Sequence, residues 1–144
     1  KHLDFSRAGI IALFHDVLIS IGFFCLWGYE ISLLVVTAIL TIAGYSINDT
    51  IVIYDRIREL SPRMHKVSLR EIINSAINQT LSRTIITSFT TILVVMCIFT
   101  LGGEALKSFS FTLLAGFIAG TYSSIYIASP LVLAFRKFSS LSTR

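Results

Sequence analysis

The chain has 144 residues, of which 54% are hydrophobic and 14% are charged, and its formal net charge is +4. An ordinary soluble domain carries roughly 25% charged residues, and one of this length hides only about 70% of its surface on folding. This composition excludes an ordinary soluble domain, because large apolar patches would face water, and it predicts an integral membrane protein. The chain opens on Lys1 without a signal peptide, so we expect a fragment of a longer protein.

Four apolar stretches predict an all-α membrane protein, a single bundle over residues 1–144 of four antiparallel transmembrane helices with an interfacial cytoplasmic helix. At about 1.5 Å per residue, even the shortest stretch comes close to the roughly 30 Å of a hydrocarbon core. Only Asp16 and Asp49 bring a formal charge into these stretches. The predicted spans are residues 9–27, 31–54, 84–101 and 109–135.

Basic residues predict the orientation of the bundle. Every Lys and Arg except Lys107 lies in the segments 1–8, 55–83 and 136–144. By the positive-inside rule, both ends and the long connection are cytoplasmic. Because these residues are scattered along juxtamembrane segments, they favour anionic lipid as a partner and argue against nucleic acid.

The cytoplasmic connection predicts a helix of its own over residues 68–81. Ser68 and Glu71 form a capping-box pattern, and apolar residues then recur at helical spacing. We expect this amphipathic helix to lie at the inner interface and to lead into the third span, with Pro62 marking the break before it. The role of the segment Leu60–Val67 stays open.

Polar residues inside the spans are the candidate functional residues, because an ionisable group at membrane depth is costly unless it is paired or hydrated. His15 and Asp16 in the first span, and Asn48 and Asp49 in the second, each lie about 10 Å from the cytoplasmic end. We expect them to form one acid–imidazole–amide cluster. Arg83, at the start of the third span, is the expected counter-ion of Asp49, and together these residues would form a proton relay.

Hydroxyl residues extend this pattern along the second span. Thr41, Tyr45, Asn48 and Asp49 follow one another at helical spacing, and we expect their shared face to point into the bundle. Two other readings stay open: the hydroxyl groups could bond back to their own helix, and Arg83 could be a snorkelling anchor in lipid. Asp49 is harder to explain in this way, since its stem is too short to snorkel.

The fourth span carries a stripe of small residues typical of close helix packing: Gly116, Gly120, Ser123 and Ser124. Cys25 and Cys97 are expected to be small buried residues rather than a disulfide. We find no motif for a metal, a cofactor or an enzyme site, and we therefore expect a protein that is not an enzyme.

Sequence motifs in all four spans resemble the SecD/SecF family of the resistance-nodulation-division superfamily. The resemblance rests on HDV at residues 15–17, GYSINDTIVIYDRIRE at 44–59, NQTLSRTIITSFTTILVV at 78–95 and FSFTLLAGFIAGTYSSIYIASP at 109–130. The matching motifs span nearly the whole chain and follow one another in the same order as in the family.

This resemblance implies a function that composition alone does not. Members of the family use the proton-motive force to help export preproteins through the SecYEG channel, in a complex of SecD with SecF. The acidic residue of the family's GYSINDT motif falls on Asp49, and the arginine of its LSRT motif falls on Arg83.

Some expectations stay open. The extracytoplasmic domain that would bind exported preproteins is missing from this chain. The chain itself could derive from a separate subunit or from the second half of a fused SecDF polypeptide. The alternatives are an exporter of small molecules or lipids from the same superfamily, and a structural assembly module that transports no protons.

Overall fold

The fold consists of long helices, and the computed structural model describes residues 2–62 and 67–142. No strand occurs in these two ranges. The order of the helices is α1 (His2–Leu26), α2 (Leu33–Leu60), α3 (Leu69–Leu101), α4 (Glu104–Ser123), a π-helical turn (Ser124–Ala128) and α5 (Ser129–Ser142). Within the described ranges, four segments are long and apolar enough to cross a membrane, which confirms the predicted all-α class and the number of spans: Asp4–Leu26, Leu33–Leu60, Leu69–Leu101 and Glu104–Phe135.

Local sequence signals set the ends of the helices. Ser32 caps α2 by accepting a hydrogen bond from the Val35 backbone N–H at 3.4 Å. Pro62 follows the end of α2 at Leu60, as predicted. Gly28 and Gly103 adopt φ values of 71° and 76° in the two short connections, where a side chain would be strained.

The segment 68–81 does not form a separate helix. The capping box is confirmed, since Ser68 accepts from the Glu71 backbone N–H and the Glu71 side chain accepts from the Ser68 N–H, both at 3.3 Å. The helix then runs without interruption to Leu101 over 33 residues, a length of about 50 Å. Of the segment Leu60–Val67, residues 63–66 lie outside the described ranges.

The core of the bundle is built around α2 and α4, each of which packs against the other long helices. One buried cluster joins the start of α1, the end of α2, the start of α3 and α5, and it includes Ile57, Ile72, Ile73, Ala76 and Val132. The apolar side of the segment 68–81 thus packs against protein. A second cluster joins α2, α3 and α4, where the rings of Tyr45 and Phe117 have centroids 4.3 Å apart.

The outer surface of the bundle is strongly apolar. Phe14 is 65% exposed, Leu40 is 70% exposed and Phe89 is 64% exposed. Such a surface is unfavourable in water and suits lipid or a partner helix. Cys25 and Cys97 are both free, and they are exposed rather than buried.

A π-helical turn interrupts the fourth span just before Pro130. Proline has no backbone N–H and its ring clashes with the carbonyl four residues earlier, so a regular α-helix cannot continue through Tyr126 and Pro130. Side chains bond to the carbonyls of the widened turn. Ser129 donates its hydroxyl to the Ser124 carbonyl at 3.1 Å, and Tyr54 of α2 donates to the Ala128 carbonyl at 3.1 Å.

Candidate functional site

Asp16 is the most enclosed carboxylate of the bundle and joins three helices. Its side chain on α1 is fully buried. Its Oδ2 atom accepts hydrogen bonds from Ser46 of α2 and from Ser123 of α4, the second at 2.7 Å. Ser20 donates to the backbone carbonyl of Asp16 at 2.7 Å, within α1. One oxygen atom therefore links α1, α2 and α4.

His15 lies beside the other oxygen of the Asp16 carboxylate. Its Nδ1 atom lies 3.1 Å from Oδ1 of Asp16, and its side chain is 33% exposed. Each oxygen of Asp16 thus has a polar partner, which is the usual condition for a carboxylate away from water.

Glycines of α4 allow the close approach that this arrangement needs. A Cβ atom at Gly120 would lie 3.3 Å from the Cβ of Ser46 and 3.7 Å from Oδ2 of Asp16. A Cβ atom at Gly116 would overlap the side chain of Ile42 on α2. Both positions, with Ser123 and Ser124, are buried at helix contacts.

A second set of hydroxyl contacts ties the helices together. Thr50 of α2 lies 3.2 Å from the hydroxyl of Ser124. Ser88 of α3 accepts from the hydroxyls of Tyr45 at 3.3 Å and of Thr121 at 2.9 Å. Side-chain hydroxyls thus connect α2 to the π-helical turn that follows α4, and they connect both α2 and α4 to α3.

Asp49 differs from Asp16 in its surroundings. It is 6% exposed on α2, and its Oδ2 atom is buried with no hydrogen-bond partner among the described residues. No hydrogen bond or ion pair within 4.0 Å joins Asp49 to Arg83 of α3 in the described ranges. The two side chains of the predicted pair are therefore not in direct contact.

Arg83 is exposed and borders an open groove between α2 and α3. The groove has a volume of about 660 Å³, and its lining includes Asp55 and Glu59 as well as Arg83. Arg56, on the same groove, is held by Gln79 of α3 and by Glu59. Arg83 has no such tether among the described side chains.

The predicted polar stripe of α2 faces the interior only in part. Tyr45 and Asp49 point inward, whereas Thr41 and Asn48 are exposed, so the expectation that all four face the bundle is wrong. Thr41 bonds back to its own helix through the Thr37 carbonyl at 2.9 Å. Asn48 is likewise not part of a cluster with His15 and Asp16.

Several residues of the network went unnoticed in the sequence because a buried serine or threonine has no distinctive pattern. Ser46 and Thr50 lie four residues apart within the GYSINDT motif, and this helical spacing could have identified them as residues of one face. No comparable sequence signal pointed to Ser20 or Ser88. In the described part of the chain, no group of three His, Cys, Asp or Glu side chains is placed to hold a metal ion.

Comparison with known proteins places this bundle in a family. The family described as "Protein export membrane protein SecD/SecF, C-terminal" matches residues 2–138. The chain belongs to the SecD/SecF family. Protein translocase subunit SecF of Rhodothermus marinus is 51% identical over 138 residues, and that of Desulfurispirillum indicum is 53% identical over 137 residues. These alignments cover 92% and 93% of this chain but only 45% and 44% of the two relatives.

Solved structures of SecDF share the fold. The crystal structure of SecDF, a translocon-associated membrane protein, from Thermus thermophilus matches with a TM-score of 0.89 and 46% identity, over 93% of this chain and 19% of the SecDF chain. SecDF in its super-membrane-facing form matches with a TM-score of 0.90 and 45% identity, over 98% and 20%. This chain therefore corresponds to a minor part of SecDF.

Proposed function

We propose that this chain is the membrane bundle of a proton-driven auxiliary subunit of the Sec preprotein translocase, which assists protein export across the bacterial cytoplasmic membrane. Membership of the SecD/SecF family and relatives named protein translocase subunit SecF support this role. The partners would be SecD, the SecYEG channel and, through regions outside this chain, exported preproteins. We propose no enzymatic activity for it.

The buried Oδ2 atom of Asp49, which lacks a hydrogen-bond partner within the described ranges, is the observation that carries the proton-coupling proposal. An unsatisfied carboxylate oxygen inside a span is costly and marks a functional group. When Arg83 is close, the charged form of Asp49 is favoured. When the helices shift and Arg83 withdraws, the carboxylate would take up a proton that arrives through water.

The exposed polar residues of α2 and α3 support a partner on this side. Asn48 and Arg83 are both exposed, although polar residues within a span normally face protein or water. SecD would cover this face and supply the second wall of the proton path. Anionic lipid would contact the basic residues at the cytoplasmic ends of the helices.

We further propose that the four spans are antiparallel and that both ends of the chain are cytoplasmic. Side-chain contacts support the arrangement, since Phe5 near the start of α1 packs on Tyr54 near the end of α2, with ring centroids 5.1 Å apart. Similarly, Arg56 near the end of α2 bonds to Gln79 near the start of α3. The first part of α3, from Leu69, would extend from the cytoplasmic interface.

The test is proton-dependent preprotein translocation in vesicles that contain the full-length protein with its partners. Asp49→Asn should abolish the response to a proton gradient while the protein stays folded, because the amide cannot exchange a proton. Arg83→Lys should impair the response, because it keeps the charge but loses the planar guanidinium. Glu30→Gln is the matched control, since it also converts a carboxylate to an amide, at an exposed position outside the groove that Arg83 borders.

A wild-type response in Asp49→Asn would show that the relay is misassigned. If complex assembly fails together with translocation, Asp49 and Arg83 are a structural pair, which is the assembly-module alternative. If the protein exported small molecules or lipids instead, cells with the Asp49→Asn variant would become sensitive to drugs or lipids while their protein secretion stayed normal.

A further inference from the structure

The two buried carboxylates of the bundle have opposite surroundings. Both oxygens of Asp16 have polar partners, two of them serine hydroxyls from other helices. Asp49 has a buried oxygen with none in the described ranges. Because a group that exchanges protons needs access and freedom to change partners, the two residues are suited to different tasks.

The contacts of Asp16 link α1, α2 and α4 close to Asp49. Ser46 lies three residues before Asp49 on α2, and Thr50 directly follows it. Ser46 is held through Asp16 to Ser123, and Thr50 contacts the adjacent Ser124. These two contacts fix the position of α2 along α4 over the turn that carries Asp49.

The same network reaches the helix of Arg83. Thr121, two residues before Ser123 on α4, donates to Ser88 of α3 at 2.9 Å. Ser88 lies five residues after Arg83, less than two helical turns away. The position of α4 thus affects the heights of both Asp49 and Arg83.

We propose that Asp16 is a positioning residue for the relay: its carboxylate clamps Ser46 of α2 to Ser123 of α4 and so sets the height at which Asp49 faces Arg83. The inference rests on the proposed relay, and it separates Asp16 from the groups that carry the proton. In the described ranges, the groups of α2 and α4 that bond to this carboxylate are the hydroxyls of Ser46 and Ser123.

Asparagine and alanine at position 16 distinguish a clamp from a proton carrier. Asn keeps one oxygen that can accept from both serines, and it cannot ionise. Asp16→Asn should therefore keep a translocation rate close to wild type in full-length protein with its partners. Asp16→Ala removes the acceptor and should lose the proton-driven rate several-fold. If Asp16 carried the proton, Asp16→Asn would abolish the response, as expected for Asp49→Asn.

Serine variants test the same clamp without changing the carboxylate. The double variant Ser46→Ala with Ser123→Ala should reproduce the loss seen in Asp16→Ala. Ser20→Ala is the matched control, because among the described residues this buried hydroxyl bonds to the carbonyl of Asp16 within α1 and to no other helix. A wild-type rate in the double serine variant overturns the proposal, and this arm decides the question if Asp16→Ala does not fold.

A distance measurement separates this proposal from the relay itself. Spin labels at Leu33→Cys on α2 and Glu104→Cys on α4, in a background without other cysteines, report sliding between these helices. We expect the distance distribution to shift in Asp16→Ala and in the double serine variant, and to stay unchanged in Asp16→Asn. An unchanged distance in Asp16→Ala overturns the clamp, whereas a wild-type response in Asp49→Asn overturns the relay alone.

Discussion

At the scale of single residues, Gly116 shows how little room the centre of the bundle leaves. The side chain of Ile42 occupies the space that a Cβ atom at this position would need. Ile42 is itself fully buried in the cluster that includes Val95 and Phe117, so moving it would disturb these neighbours. Interiors packed at this density respond to a single added methyl group.

Gly116→Ala should lower stability by about 1–3 kcal/mol, the usual cost of overpacking. Thermal unfolding of the purified protein measures the change. Gly44→Ala on α2 is the control, because a Cβ atom there meets no atom within 4 Å. Adding Ile42→Ala to Gly116→Ala should restore part of the loss. If Gly116→Ala and Gly44→Ala melt alike, α2 and α4 are not in close contact here.

A larger change at Gly120 tests the same interface beside Asp16. Gly120→Leu should disrupt the bundle, because the added atoms meet Ser46 and the Asp16 carboxylate. An unchanged melting temperature with normal complex formation would mean that this face of α4 is turned to lipid.

The sequence shows which residues of α2 are polar, but it does not show which of them face the interior of the bundle. Adjacent residues on a helix point about 100° apart, so Asn48 and Asp49 could not both face the same neighbour. Which residues of α2 are buried depends on where α3 and α4 pack, and the sequence of α2 carries no information about that. The partners of Asp16 were hidden for the same reason, since Ser123 lies on a distant helix.

At the scale of helices, the π-helical turn at Ser124–Ala128 is the main irregularity. It joins α4 to α5 within one span, and it allows Val132 of α5 to remain fully buried beyond Pro130. The Tyr54 hydroxyl holds the turn from α2. Such turns are energetically marginal and need support from their surroundings.

Tyr54→Phe should destabilise the π-helical turn by about 0.5–1.5 kcal/mol, the net value of one hydrogen bond. We expect faster exchange of the backbone amide hydrogens of residues 125–129, measured by mass spectrometry. Tyr122→Phe serves as the control, because Tyr122 is 56% exposed and keeps its ring stacked on Tyr126. Equal exchange in both variants would show that the Tyr54 hydroxyl does not support the turn.

The helices themselves could be predicted well, because hydrophobic length and caps are local. The capping box at Ser68 and the end of α2 before Pro62 were both found in this way. The ends of the helices were less predictable, since a helix can continue past its last apolar residue. The helix predicted to end at Leu81 thus continues to Leu101 within α3. The π-helical turn was not predicted, although Pro130 indicated an irregularity there.

At the scale of the whole molecule, the orientation in the membrane is directly testable. With Cys25 and Cys97 replaced by alanine, Glu30→Cys and Glu104→Cys should react with an impermeant thiol reagent added outside the cell. Asn74→Cys, at the exposed start of α3, should react only after the membrane is opened. Labelling of positions 30 and 104 only from the cytoplasm would reverse the proposed topology.

The clamp at Asp16 also bears on how the protein is made. Ribosomes synthesise chains from the N-terminus, so α1 enters the membrane before Ser46 and long before Ser123 exist. Until α4 emerges, the carboxylate lacks one of its two serine donors, and burying it in lipid would be costly. Nascent α1 must therefore stay near water or beside the insertion machinery, and the arrival of α4 becomes the event that completes the bundle.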